Sequence, residues 1–165
     1  MPELGIPDFE NQAHLMIVDD EEMVLTSIHS LLKLETNYRV DRYTDPVQAL
    51  DQLRQNSVDL IIADYQMPSM DGIEFLAQVK NLQPEVTRIL LTGYADKESA
   101  IRAINQANLF QYIQKPWDNS ELLLIIRGGL EKRFLMKELR EKISALDEAH
   151  NGLKEIQKRL LQAFV

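Results

Sequence analysis

Five polar residues stand at or just beyond the ends of short apolar runs in this 165-residue chain. Asp19 and Asp20 follow Leu15-Met16-Ile17-Val18, Asp64 follows Leu60-Ile61-Ile62-Ala63, Thr92 follows Ile89-Leu90-Leu91, and Lys115 comes shortly after Ile113. Three carboxylates held close together repel one another, and burying them costs several kcal/mol unless a cation neutralises them. Closely spaced carboxylates with few other ligands suit a hard, oxygen-bound ion such as Mg2+. The ammonium of Lys115 and the hydroxyl of Thr92 add a fixed positive charge and a hydrogen-bond donor to the same set.

Each of these residues has an ordinary structural role when taken singly. Asp19 and Asp20 could cap the helix that follows, Asp64 could cap a turn, Thr92 beside Gly93 could end a strand, and Lys115 before Pro116 could lie on the surface. What joins them is the pattern around them. From His14 to Ile113, short runs apolar on both faces alternate with segments of helical spacing, which is the signature of parallel strands linked by crossover helices. Tyr38 to Tyr43 and Phe110 to Ile113 alternate more strongly and read as edge strands. Helical stripes run through Val24, Leu25, Ile28, Leu31 and Leu32, then Phe75, Leu76, Val79 and Leu82, then Ala100, Ile101, Ile104 and Ala107. Asp45, Pro46 and Gln48 read as N-cap, first helical residue and capping-box partner of a further helix. The order is (βα)5, an α/β fold with a doubly wound five-stranded parallel sheet. In such sheets ligands bind outside the carboxyl ends of the strands. That is where the five polar residues fall, and Asp64-Tyr65-Gln66-Met67-Pro68-Ser69-Met70-Asp71-Gly72 adds a constrained turn before a helix.

These motifs, in this order, resemble the flavodoxin-like receiver domain of two-component response regulators over residues 14–132. The resemblance implies that Asp64 is the phosphoryl acceptor. It implies that Asp20, Asp64 and the main-chain carbonyl of Gln66 ligate Mg2+, with Asp19 acting mainly through metal-bound water. Thr92 would bond a phosphoryl oxygen, Lys115 would pair with the phosphoryl group, and Tyr112 would be the aromatic switch residue. Pro116 matches a position whose preceding peptide bond is usually cis. The expected phosphodonor is a histidine kinase or a phosphotransfer protein, and the expected role is signalling in the cytoplasm, not enzymatic turnover.

Asp118 and Glu121 read as a capping box, and nothing downstream breaks the helical pattern decisively. About 47 residues at about 1.5 Å each give a helix of roughly 70 Å. Leu139, Leu146, Leu153 and Leu160 recur at sevens, with Met136, Ile143, His150, Gln157 and Phe164 at the alternate positions, which is a leucine heptad. The expectation is a parallel homodimeric coiled coil over 133–165, continuous with the last receiver helix, after a loose tail over 1–13. Lys142 would face Asp147 of a second copy. Gly128-Gly129 reads either as a flexible point or as a site of close packing.

Composition narrows the alternatives. There is no cysteine, so disulfides and thiolate metal sites are ruled out. A net charge of -8 argues against general attraction to nucleic acid or anionic lipid. No apolar run reaches the roughly 20 residues of a membrane span. A haloacid-dehalogenase-like phosphatase would place a second acid two residues after its nucleophile, where this chain has Gln66. No Gly-rich turn for a dinucleotide follows the first strand. No DNA-binding or catalytic pattern follows Asp118, so the output module is expected to lie outside the chain. The remaining alternative is a receiver-shaped dimerisation scaffold that is not phosphorylated.

Overall fold

The computed structural model describes residues 11–164, apart from the side chains of Tyr94, Gln106 and Ala107. Five strands and five helices alternate: β1 His14–Val18, α1 Glu22–Glu35, β2 Arg39–Tyr43, α2 Pro46–Leu53, β3 Leu60–Asp64, α3 Gly72–Leu82, β4 Thr87–Thr92, α4 Lys97–Ala107, β5 Gln111–Gln114 and α5 Asn119–Ala163. All pairings are parallel and the sheet order is β2-β1-β3-β4-β5, so β2 and β5 are the edges, as their alternation predicts. The two central strands β3 and β4 are buried along their whole length, which explains why they read as nearly unbroken apolar runs.

Side chains alternate across the sheet. Met16, Val18, Ile61, Ala63 and Leu90 pack with Ala49 and Leu50 of α2, Phe75, Leu76 and Val79 of α3, and Ala100 and Ala103 of α4. Leu15, Ile17, Leu60, Ile62, Ile89 and Leu91, all fully buried, point to the other face. Each such residue removed from water contributes roughly 1.5–3 kcal/mol toward offsetting chain entropy. The helix starts follow local chemistry. The Asp45 carboxylate accepts the Val47 N–H at 2.9 Å, with Pro46 in the first turn. Asp71 caps α3 through the Glu74 N–H at 2.8 Å, and Asp118 caps α5 through the Glu121 N–H at 3.0 Å. The end of the expected N-terminal tail is tied down: Ala13 is buried and its carbonyl accepts the Arg39 N–H at 3.0 Å. Residues 1–10 lie outside the described part.

The chain divides into two compact units, residues 1–133 and 134–165. Within the first, Gly129 answers the question its sequence left open. A Cβ there would come within 2.9 Å of Thr87 Cγ2 and 3.0 Å of Leu60 Cδ1, and the Thr87 hydroxyl donates to the Gly129 carbonyl at 3.0 Å. The glycine permits close packing of α5 on β3 and β4. In the second unit, the heptad residues are exposed and, up to Leu160, helical, with Phe164 one residue past the helix end. No described helix is long and apolar enough to cross a membrane.

Gly72 is the most tightly packed of the described glycines. A Cβ at this position would lie 2.2 Å from the Asp64 carbonyl oxygen, a backbone atom that cannot turn aside. Gly72→Ala is therefore expected to destabilise the protein by about 2 kcal/mol or more, read as a lower urea midpoint at unchanged m-value. An unchanged midpoint would mean that the turn after Asp64 relaxes freely.

Candidate functional site

Strand register brings the five polar residues together. Val18 pairs with Ala63, Asp64 with Leu91 and Thr92 with Gln114, so the ends of β1, β3, β4 and β5 finish in step. Three further main-chain bonds extend the sheet past its last pairs: Asp19 N–H to Tyr43 at 3.1 Å, Tyr65 N–H to Leu91 at 2.8 Å and Lys115 N–H to Thr92 at 2.7 Å. The peptide bond between Lys115 and Pro116 is cis.

Lys115 is the hub of the cluster. Its Nζ lies 3.1 Å from Asp19 Oδ2 and 3.1 Å from Asp64 Oδ1, with Glu21 Oε1 at 4.0 Å. Asp19 is fully buried and its other oxygen accepts the Glu21 N–H at 2.9 Å. That bond and the Lys115 contact engage both Asp19 oxygens, and α1 has no side-chain cap, so capping is not what the two aspartates do. Asp20 is exposed. One carboxylate oxygen from each of Asp19, Asp20 and Asp64 can be chosen so that all lie within 4.8 Å of one another, a grouping that could hold a metal ion.

The electrostatics follow from burial. Desolvation, then the neighbouring charge of Asp19, pushes the Asp64 carboxyl up to about 6, against the opposing pull of Lys115. Asp19 is also raised, mainly by burial. Burial alone would lower Lys115, but its hydrogen bond to Asp19 and the charges of Asp19 and Asp64 outweigh it, so the ammonium is held above its ordinary range. One ammonium thus under-compensates three carboxylates. A divalent cation fits that deficit, and the all-oxygen donor set suits Mg2+.

An open cavity of about 500 Å³ lies at this edge, lined by Asp20, Glu21, Asp64, Gln66, Gly93 and Lys115 among others. Thr92 is fully buried, and its hydroxyl has no hydrogen-bond partner among the described residues. An orphaned buried hydroxyl costs roughly 1–3 kcal/mol. Such a cost is tolerable where another oxygen can complete the bond. Tyr112 is half-buried against the core cluster. The sequence reading missed Glu21, Asp71 and Asp96 as cavity-lining residues. The unbroken acidic run 19–22 was the available signal for Glu21; Asp96 sits in a single 3-10 turn, Tyr94–Asp96, that no periodicity announces.

A family model described as the response regulator receiver domain matches residues 15–127. The hydrogenase transcriptional regulatory protein HoxA of Cupriavidus necator is 33% identical over 130 residues, covering 79% of this chain and 27% of HoxA. The regulatory protein AtoC of Escherichia coli is 33% identical, covering 80% of this chain and 28% of AtoC. Among solved structures, the signal receiver domain of an HD domain-containing protein from Pseudomonas fluorescens Pf-5 is 38% identical with a TM-score of 0.68, covering 73% of this chain and 96% of that one. The chain spans little more than a quarter of the length of these curated relatives.

A raised folded-state value for Asp64 has a definite sign. The stability it contributes is present below the unfolded value of 3.8 and is lost as pH rises through about 6. In metal-free buffer at pH 7, Asp64→Asn is expected to raise stability by about 1–3 kcal/mol, with the gain shrinking as pH falls toward 4. Urea titrations at the two pH values measure this; a lower midpoint for the variant at pH 7 would contradict the electrostatic account.

Proposed function

The chain belongs to the response regulator receiver domain family, and from that premise we propose that it is a phosphorylation switch in which Asp64 accepts a phosphoryl group and α5 carries the response onward. The observation that supports this best is the placement of Lys115 Nζ at 3.1 Å from both Asp64 and Asp19, at the sheet edge where β4 ends in the unpartnered Thr92 hydroxyl.

The proposed donor is the phosphohistidine of a histidine kinase or phosphotransfer protein. An Asp64 carboxylate oxygen forms the new bond to phosphorus as the N–P bond of the donor breaks and its imidazole leaves with the electron pair. Asp20 and Asp64, with the main-chain carbonyl of Gln66, would hold Mg2+, which when bound offsets the repulsion between a carboxylate and a phosphoryl group. Lys115 can turn an N–H toward an equatorial phosphoryl oxygen, because its three donors are not committed to one partner. The acyl phosphate carries about two negative charges. Its oxygens offer the Thr92 hydroxyl the acceptor it lacks, and inward movement of Thr92 leaves room for Tyr112 to rotate. Gln66 lines the cavity and is placed to influence how water reaches the acyl phosphate. The chain works as a phosphoacceptor acting on itself, and cytoplasmic signalling is part of the same proposal.

The response is proposed to pass through a parallel homodimeric coil built on Met136, Leu139, Ile143, Leu146, Leu153 and Leu160. These residues are 44–69% exposed and share one helix face, an apolar stripe that invites a partner. The output module is proposed to lie outside these 165 residues, a reading supported by the small share of each curated relative that the chain covers.

Two measurements test the proposal. Intact mass after incubation with acetyl phosphate should show one added phosphoryl group that requires Mg2+ and is lost in Asp64→Asn. No addition, with a kinase donor also failing, would leave a receiver-shaped scaffold as the better reading. Sedimentation should show a dimer for the full chain and a monomer after deletion of everything beyond Lys137; a persistent dimer would move the interface onto the globular unit.

A further inference from the structure

The apolar residues of the 134–165 unit change spacing partway along. Met136, Leu139, Ile143 and Leu146 follow intervals of three, four and three. Continued in the same phase, the heptad reaches His150, Leu153, Gln157, Leu160 and Phe164, which places two polar residues in the seam. A second path leaves from the same Leu146 through Ala149, Leu153, Ile156, Leu160 and Ala163, at intervals of three and four, and every member is apolar. Apart from Phe164 both paths lie on one uninterrupted helix, and residues 149–164 are all exposed, so intramolecular packing commits neither.

The two paths place different residues in contact. In the first, His150 and Gln157 face their own copies across a parallel pair, and Ile156, 55% exposed, stays on the flank. In the second, Ile156 enters the seam and the two polar side chains reach water, while Ala149 and Ala163 let the backbones approach. The second path gives up Phe164, but that residue lies one position past the helix end, whereas burial of two polar groups without partners is costly and burial of Ile156 is favourable, so the balance favours the second path. It introduces two successive intervals of three, Ile143 to Leu146 to Ala149. That break in the heptad is the kind that overwinds a left-handed coil locally.

The occupant is a second copy of the same helix. The shared leucines repeat at sevens, which makes the stripe self-complementary in a parallel pair. Lys142 and Asp147, five apart and flanking the Ile143–Leu146 stretch that both paths share, bring opposite charges together across that pair. We propose that the second copy follows the seam Met136, Leu139, Ile143, Leu146, Ala149, Leu153, Ile156, Leu160 and Ala163, with a phase break at Leu146–Ala149 that leaves His150 and Gln157 outside the core. This rests on the dimer proposed above and assigns which of its faces meet.

The absence of cysteine makes the test clean. Single variants of the full chain, Leu139→Cys, Ala149→Cys, His150→Cys, Ile156→Cys and Gln157→Cys, are oxidised under matched conditions and resolved without reductant. The expected result is strong disulfide-linked dimer for Leu139→Cys, with Ala149→Cys and Ile156→Cys linking at least several-fold faster than His150→Cys and Gln157→Cys. The reverse order, or equal rates within each pair, overturns the phase break and restores the continuous heptad. If Leu139→Cys links and none of the other four does, the distal segment does not pair and the inference fails while the dimer stands. Failure of Leu139→Cys as well removes the coil itself.

Discussion

A single ammonium between two buried carboxylates is the constraint on which the site depends. Lys115 stands at equal distance from Asp19 and Asp64, and it reaches them because β1, β3 and β5 end at the same level of the sheet. Without that charge, two mutually repelling and desolvated acids would have to be protonated or exposed. With it, the cluster remains short of positive charge, because Asp20 is unpaired among the described residues and Asp64 is still raised. The fold therefore holds the acids in a state that improves when further positive charge arrives. Stability is given up at the functional edge and recovered in the apolar layers beneath it.

The same strands that hold the site also reach the helix. β4 is six residues long. At its last residue Thr92 holds an unsatisfied hydroxyl, one position past the Leu91 that pairs with Asp64, and at its first Thr87 donates to the Gly129 carbonyl of α5. Near that contact Arg133 pairs with Glu85 at 3.3 Å and lies 3.6 Å from Asp59. The last turns of α5 within the globular unit are thus held by hydrogen bonding, charge and close packing against Gly129. A displacement of β4 would be felt at both ends, since buried strands transmit strain and do not absorb it.

Much of this was legible in the sequence because strong periodicity and a polar residue at a strand end are local signals. The order of elements, the edge strands, the acidic cluster and the caps at Asp45 and Asp118 all have such signals. The capping box at Gln48 is not formed as read, since Asp45 bonds the Val47 N–H. Other features depend on tertiary context. Ile101 was read as part of the buried stripe of α4 but is 41% exposed, because Ala100 and Ala103 form the close contact. Arg88 made β4 look shorter than it is. A guanidinium is a poor guess for a central strand, yet it is buried, with Nη2 donating to the Asn108 carbonyl at the left-handed end of α4. The tight approach of Gly72 to the Asp64 carbonyl was visible only as a glycine eight residues after an acid; its steric reason needed coordinates.

The central claim is that a covalent bond forms at one carboxylate. It is tested most directly by borohydride reduction of the phosphorylated protein followed by peptide mapping, because reduction of an aspartyl phosphate leaves homoserine at the modified residue. The account predicts homoserine at position 64 and nowhere else, and none when Mg2+ is withheld. Homoserine at Asp19 or Asp20, or phosphate retained on a histidine or hydroxyl side chain with residue 64 untouched, would contradict it.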